Sequence, residues 1–143
     1  MKIASVYWDA IEVSMETGPD MCDITAALSL VIAESNIKSG HLSAPMVGST
    51  GSLTSIEYEP GVIEDLKEAI DRLAPPGAEY AHELAWHDGN GHSHVQAALL
   101  GPSIDVPIRS GRLRLGTWQQ VVAINHDNGP RKRTIEVTVF GTA

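Results

Sequence analysis

Four strand-like segments follow one another closely in the second half of the chain, and their spacing limits the fold more than any other feature. They read IDVPI, RLRLG, WQQVVAIN and RTIEVTVF. In the last segment Ile135, Val137 and Val139 alternate with polar residues, as in a strand with one buried face. Closely spaced strands without regular helices between them predict largely antiparallel pairing rather than a parallel sheet.

The remaining segments add strands and helices to this picture. Apolar residues recur at helical spacing over residues 23–35, which predicts a first helix with Ile24, Leu28, Val31 and Ile32 among its apolar positions. Pro60 begins a second helix, whose inner face we expect to hold Val62, Leu66, Ile70 and Leu73. The segments MKIASVYWDAIEV, HLSAPMV and SLTSIEYE predict strands, and SHVQAALLG predicts a short apolar helix.

The chain contains 143 residues, close to the commonest size of one domain, and it has no internal repeat or linker-like stretch. We therefore predict a single α+β domain over residues 1–143. It consists of a mixed, largely antiparallel β-sheet with two main helices packed on it.

Composition excludes several kinds of partner. The net charge of -8 argues against a nucleic-acid or anionic-membrane surface, because binding to phosphates needs clustered Lys and Arg. Cys22 is the only cysteine, which favours a reducing compartment. Asp9 and Glu12 interrupt the N-terminal segment where a signal peptide would be apolar, and AALSLVIA is far shorter than the ~20 residues that span a bilayer. These features predict a cytoplasmic protein without nucleic-acid or membrane partners.

The segment YAHELAWHDGNGHSH contains four of the six histidines and is the first candidate site. Imidazoles together with the carboxylate of Asp88 suit zinc or a similar divalent ion. His92 and His94 lie on one side if the backbone is extended and diverge if it is helical. The alternative interpretation is a solvated loop with surface histidines.

Two further features favour an anion. Ser93 is placed to cap a helix that begins near His94, and the free N–H groups of a helix N-terminus attract anions. In GSTGSLTSIEYE, Ser49 and Thr50 are placed to form an anion-binding loop, with Glu57 as general base or metal ligand on the following strand. An ordinary helix cap and a polar β-turn are the alternatives.

Near the C-terminus, an amide and a pair of arginines are further candidates. Gln119 follows Trp118 at the start of a predicted strand and is either a ligand contact or part of the core. Arg131 and Arg133 share one strand face if the backbone is extended, and a guanidinium pairs well with a phosphate ester. Surface solubility is the alternative for both arginines.

Taken together, EYEPGVIEDL, YAHELAWHDGNGHSHVQAALLGPSIDVPIRSGRLRLGTWQQ and GPRKRTIEVTVFG resemble the YjbQ-like family over nearly the whole chain. The resemblance implies a compact α+β fold, a homotrimer with polar pockets near subunit boundaries, and a phosphorylated small molecule as partner. Members are often labelled secondary thiamine-phosphate synthase. That reaction joins a hydroxymethylpyrimidine diphosphate to a thiazole phosphate with loss of diphosphate.

The resemblance also implies roles for particular residues. The family pattern places a metal- or ligand-binding histidine at the start of an HTTAAL-like motif, one in a Y-x-H element and one before the apolar helix. The corresponding residues here are Gly48, His82 and His94, so the first histidine is missing. His92, Asp88 and Asn90 are candidates to replace it as a ligand, or the site binds an anion without metal.

These arguments give three sets of expected site residues. We expect His82, His94 and Glu57 in catalysis; Ser49, Thr50, Asn90, Ser93, Gln119 and Arg131 in ligand binding; and His82 and His94, with His92 or Asp88, as ligands of a divalent metal such as zinc or magnesium. Three functions are consistent with this set: a thiamine-phosphate synthase-type enzyme acting on phosphorylated small molecules, a metal-dependent hydrolase, and a non-catalytic protein that binds a metal or metabolite.

Overall fold

The computed structural model describes all 143 residues, which form eight strands and four helices. In chain order they are β1 (Ala4–Met15), β2 (Asp20–Asp23), α1 (Thr25–Ser35), β3 (Ser39–Val47), β4 (Gly51–Ile56), α2 (Pro60–Leu73), α3 (His82–Trp86), α4 (Gly91–Leu100), β5 (Ser103–Arg109), β6 (Arg112–Leu113), β7 (Gln120–Asn125) and β8 (Arg131–Thr142). None of the four helices is long and apolar enough to cross a lipid bilayer.

The strands divide between two sheets. A five-stranded sheet has the order β1-β8-β3-β5-β6, and a three-stranded sheet has the order β2-β7-β4. Every strand pair is antiparallel, and the longest ladder pairs all of β1 with all of β8. The predicted α+β domain with largely antiparallel strands is confirmed. The expectation of one mixed sheet was wrong in detail, because no pair is parallel and the strands form two sheets.

The main core lies on the inner face of the five-stranded sheet. Ile135, Val137 and Val139 of β8 are fully buried there, as their alternation predicts. Leu28 and Ile32 of α1 belong to the same cluster, which also includes residues of β4 and β7 from the smaller sheet. Helix α1 therefore packs one apolar side on the core, with Leu28, Val31 and Ile32 removed from water.

Helix α2 begins at Pro60 as predicted, and its start is explained by local chemistry. The carboxylate of Glu59, the N-cap residue, accepts hydrogen bonds from the backbone N–H groups of Gly61 and Val62. Ile70 packs on a second, smaller core cluster against the three-stranded sheet. The prediction for Leu73 was wrong: it is exposed, because the helix ends there and Ala74 is the residue that turns inward.

The His-rich segment is more regular than the sequence predicts. It contains α3 and the first turn of α4, which begins at Gly91 rather than near His94. The capping role predicted for Ser93 was wrong, since Ser93 lies inside α4 and is fully buried. The carboxylate of Glu83 instead accepts hydrogen bonds from the N–H groups of Gly89 at 2.7 Å and Gly91 at 2.9 Å. A negative charge at a helix N-terminus stabilises the helix from this position.

A chain of buried side chains links the helices to the smaller sheet. The side-chain amide of Gln96 donates to the backbone oxygen of Ala74 at 3.0 Å and to Asp71 at 3.1 Å, so its oxygen accepts from Nδ1 of His126 at 3.0 Å. Nε2 of His126 then accepts from the hydroxyl of Ser52 at 2.7 Å. Burial, together with the nearby charges of Arg133 and His92, lowers the pKa of His126 to about 4. The ring is therefore neutral in the folded protein at neutral pH.

This neutral histidine predicts a loss of stability in acid. Between pH 6.5 and 4 His126 takes up a proton in the unfolded chain but not in the folded one, so the free energy of unfolding falls as the pH falls. The contribution of this one residue across that window is at most about 3 kcal/mol. Urea unfolding at several pH values should show a shallower pH dependence for His126→Gln than for the wild type.

The exposed histidine of β3 provides a control for this measurement. His41→Gln replaces an exposed histidine outside the buried chain of hydrogen bonds, and it should not reproduce the effect of His126→Gln. An unchanged slope in His126→Gln would contradict the buried, neutral state of His126.

Candidate functional site

A polar pocket opens where the beginnings of β4, α4 and β8 meet. Its volume is about 270 Å³, and none of its walls carries an apolar side chain. We call it the polar pocket, and it is lined by Gly48, Ser49, Thr50, Asp88, Asn90, His94, Asp127, Arg131 and Arg133. The structure therefore brings together the loop before β4, part of the His-rich segment and the two arginines, which the sequence suggested as separate candidates.

The carboxylate of Asp127 is the centre of this arrangement. One of its oxygens accepts hydrogen bonds from the Thr50 hydroxyl and the Asn90 amide, both at 3.0 Å, and lies 3.2 Å from Nε of Arg131. The other accepts from the N–H of Gly129 at 3.2 Å. Burial acts to raise the pKa of Asp127, but these hydrogen bonds and the Arg131 charge lower it overall. Asp127 is thus a buried, ionised carboxylate with its oxygens occupied.

The two arginines differ in exposure but face the same pocket. Arg133 is buried and donates to Asn125 and to Thr50, leaving Nη1 without a hydrogen bond inside the chain. The Arg131 side chain is 56% exposed, and only its Nε is engaged, in the ion pair with Asp127. Burial and the Arg131 charge lower the pKa of Arg133 while Asp127 raises it, and an arginine stays cationic at neutral pH. Unused guanidinium N–H groups of both residues are therefore available at the pocket.

His82 of α3 lies behind the pocket wall and contacts two residues that line it, His94 and Asp88. The rings of His82 and His94 pack with their centroids 4.5 Å apart and their planes tilted by 50°. Nε2 of His82 lies 3.2 Å from a carboxylate oxygen of Asp88. Burial acts to raise the pKa of Asp88, but the backbone N–H of Asn90 and the contact with His82 lower it overall. Asp88 thus holds the His82 side chain in place, and His82 packs against His94 of the pocket.

His92 and Ser93 do not line the polar pocket. Because α4 is helical from Gly91, residues two positions apart point in nearly opposite directions, and His92 lies on another side from His94. Its ring is buried near Tyr80, with the centroids 6.5 Å apart. His92 therefore does not lie beside Gly48, where the resemblance implied a replacement ligand.

Glu57 and Gln119 are also remote from the pocket within one chain. Strand β4 begins beside the pocket at Gly51 and ends at Ile56, so Glu57 lies roughly 20 Å along the extended backbone from Thr50. The Gln119 amide donates to the hydroxyl of Ser55 near that far end, at 2.9 Å. A single copy of the chain does not bring these two predicted residues to the histidines.

Asp127 lines the polar pocket but is not among the residues that the sequence predicts for a site. Its one local signal is its position four residues before Arg131, across the turn DNGP, which permits an ion pair between the two. Its other partners, Thr50 and Asn90, are 77 and 37 residues away along the chain, and no local pattern reveals them.

The donor groups for a metal ion are only partly assembled. His82, Glu83 and Asp88 each offer a ligand atom within 4.8 Å of the others. Both oxygens of Glu83, however, already accept hydrogen bonds from the N–H groups of Gly89 and Gly91. Coordination by Glu83 would break these bonds, which leaves His82 and Asp88 as the better placed ligands. Two protein ligands are fewer than the three or four that zinc takes, so a further ligand would be needed.

Comparison with known proteins identifies the family. The sequence profile of the family described as UPF0047 protein YjbQ-like matches residues 9–142. The chain belongs to the YjbQ-like family. It is 34% identical over 136 residues to a UPF0047 protein of Methanothermobacter thermautotrophicus, covering 95% of this chain and 93% of that protein. It is 33% identical over 124 residues to the UPF0047 protein YugU of Bacillus subtilis, covering 85% and 90% of the two chains.

A solved structure of a YbjQ-like protein of unknown function from Sulfolobus solfataricus confirms the fold. It matches with a TM-score of 0.92 and 32% identity, covering 97% of this chain and 99% of that one. These relatives establish the YjbQ-like family and its architecture, and their names assign no reaction.

Gly48 leaves free space beside Arg133 in the site of this YjbQ-like protein. Its φ of +124° lies in the left-handed region that favours glycine, and a Cβ there would stand 3.0 Å from Nη1 of Arg133. A side chain at this position would be strained and would need Arg133 to move. The space beside Gly48 is thus open to the Arg133 guanidinium.

Proposed function

We propose that this chain is an enzyme that acts on a phosphorylated small molecule and holds the phosphate in the polar pocket. The observation that carries the proposal is the presence of two arginines, two residues apart on β8, with guanidinium N–H groups that have no partner inside the chain. Guanidinium groups match the geometry and charge of phosphate oxygens, and such charge-assisted hydrogen bonds are among the strongest in proteins.

The surrounding charges support an anion rather than a cation at this position. Asp127 lies in the pocket wall, but its oxygens are occupied by Thr50, Asn90, Arg131 and Gly129. Asp88 lies at the exposed rim and is in contact with His82. Hydrogen-bond donors therefore dominate the groups left free to meet a ligand, and the exposed hydroxyl of Ser49 adds one more donor.

His94 is the group best placed for proton transfer. It lines the polar pocket, so it lies beside any ester oxygen that leads away from a phosphate held by the arginines. His82 packs on its ring and is itself held by Asp88, which fixes the position of the pair. A positioned histidine accelerates reactions by accepting or donating a proton in the transition state.

The best-named form of this chemistry is transfer of the thiamine-phosphate synthase type. In that reaction the bond between the methylene carbon of a hydroxymethylpyrimidine diphosphate and its oxygen breaks. A bond from that carbon to the ring nitrogen of a thiazole phosphate forms, and diphosphate leaves. Arg131 and Arg133 would stabilise the charge of the departing diphosphate, as preorganised donors do at developing negative charge.

Turnover by variants tests the proposal. With hydroxymethylpyrimidine diphosphate and thiazole phosphate as substrates, His94→Ala should lower kcat by about 100-fold or more, the usual loss of a general acid–base group. Arg131→Ala should weaken binding of inorganic phosphate by about tenfold, because a charge-assisted hydrogen bond is lost. Product is measured by chromatography and binding by calorimetry.

Arg112→Ala provides the matched control, since Arg112 is exposed on β6 at the far edge of the five-stranded sheet. It should retain wild-type binding and turnover. Phosphate binding without turnover would favour the non-catalytic binding protein instead. Absence of phosphate binding to the wild type would overturn the proposed function altogether.

Metal-assisted hydrolysis is the second candidate, favoured by the proximity of the ligand atoms of His82, Glu83 and Asp88. In this version a bound divalent ion, zinc or magnesium, would supply an activated water. Activity that is lost with a chelator, regained with stoichiometric zinc and absent from Asp88→Asn would support it. Turnover that is indifferent to chelator and added metal would exclude it.

We also propose the homotrimer that the family resemblance implies. Val6, Trp8 and Phe140 form an exposed apolar patch on the outer face of the five-stranded sheet, where Val6 and Phe140 are directly paired. Patches of this kind favour association. In such an assembly Glu57 and Gln119 would reach a polar pocket only if it belonged to a neighbouring copy.

Light scattering should give about three times the chain mass of 15.3 kDa, and a monomer mass would contradict the trimer.

A further inference from the structure

A second depression, which we call the side groove, adjoins the polar pocket. Its volume is about 280 Å³, and it is lined by Gly48, Ser49, Gly51, His94, Ala97, Ala98 and Pro102. Three of these residues, Gly48, Ser49 and His94, also line the polar pocket. The two spaces are therefore neighbours, with the His94 side chain and the loop before β4 between them.

The side groove is largely apolar, whereas the polar pocket is lined by polar and charged side chains. Apart from His94 it contains no ionisable side chain, and neither arginine reaches it. Its surface is mostly carbon, contributed by Ala97, Ala98 and Pro102 and by two glycines. Binding of an apolar group there is favoured by its removal from water. A polar substituent would find few hydrogen-bond partners.

The groove exists because of the residues that α4 presents on this side. His94, Ala97 and Ala98 are three and four positions apart, so they share one face of the helix. The two small side chains next to His94 leave a gap between the helix and the loop before β4. Pro102, two residues after the last residue of α4, closes the end of this gap.

The size of the side groove suits a single ring. An engineered apolar cavity of roughly 150 Å³ is known to hold benzene, and this open groove is larger. The His94 ring forms one wall, and aromatic rings pack favourably against one another in offset or tilted arrangements.

We propose that the side groove holds the non-phosphate part of the substrate, a compact uncharged ring, while the phosphate lies on Arg131 and Arg133. The inference rests on the proposed function and adds a substrate class to it: phosphate esters of a small apolar ring, in preference to sugar phosphates of similar size. His94 then lies between phosphate and ring, beside the ester oxygen that joins them.

Calorimetry with the full chain and simple phosphate esters tests whether the ring binds in the side groove while the phosphate binds in the polar pocket. Phenyl phosphate should bind about tenfold more tightly than methyl phosphate, the gain from removing roughly 60 Å² of ring surface from water. A hexose phosphate, whose ring is similar in size but carries hydroxyl groups, should bind no better than methyl phosphate. Ala98→Leu should fill the groove and abolish the advantage of phenyl phosphate.

Ala33→Leu is the matched control, because Ala33 is an exposed alanine of α1 away from both spaces, and this variant should keep the ring preference. Equal affinity of the wild type for phenyl and methyl phosphate would overturn the side-groove inference and leave the proposed function intact. Binding of neither ester nor of inorganic phosphate would overturn both. The comparison of esters on the wild type decides the matter even if Ala98→Leu does not fold.

Discussion

The buried carboxylate of Asp127 is the interaction on which the site depends. It joins Thr50 before β4, Asn90 before α4 and Arg131 at the start of β8, three parts of the chain that are far apart in sequence. A charge taken out of water is tolerated only when it is paired and hydrogen-bonded, so these partners are constrained to stay around it. The same contacts occupy the acceptor atoms of the carboxylate and leave arginine donors facing the polar pocket.

Strand pairing in the three-stranded sheet fixes the position of Asp127. Strands β4 and β7 pair from Gly51 opposite Asn125, and the N–H of His126 donates to the Thr50 backbone oxygen at 2.8 Å. This ladder sets Thr50 beside the residue that follows His126. Directly after β7, His126 joins Ser52 to Gln96 of α4, so the helix that carries His94 is tied to the strand that follows Ser49 and Thr50. The core and the site thus share one hydrogen-bonded framework.

Local patterns were enough to predict most elements and several of the residues that line the polar pocket. The alternation of Ile135, Val137 and Val139 and the Pro60 helix start are short-range signals, and the structure confirms both. The helical state of His92 depends instead on the Glu83 carboxylate at the start of α4, which no periodicity reveals. Asp127 was missed because its partners are distant in sequence. Glu57 lies away from the pocket because an extended strand separates it from Thr50.

The central claim is that the arginines beside Asp127 form an oxyanion site. A crystal of the chain soaked in tungstate, a heavy tetrahedral analogue of phosphate, tests it most directly. Strong density is expected in the polar pocket, within hydrogen-bond distance of the free N–H groups of Arg131 and Arg133. A polar pocket that holds only water, with the oxyanion bound elsewhere or not at all, would contradict it.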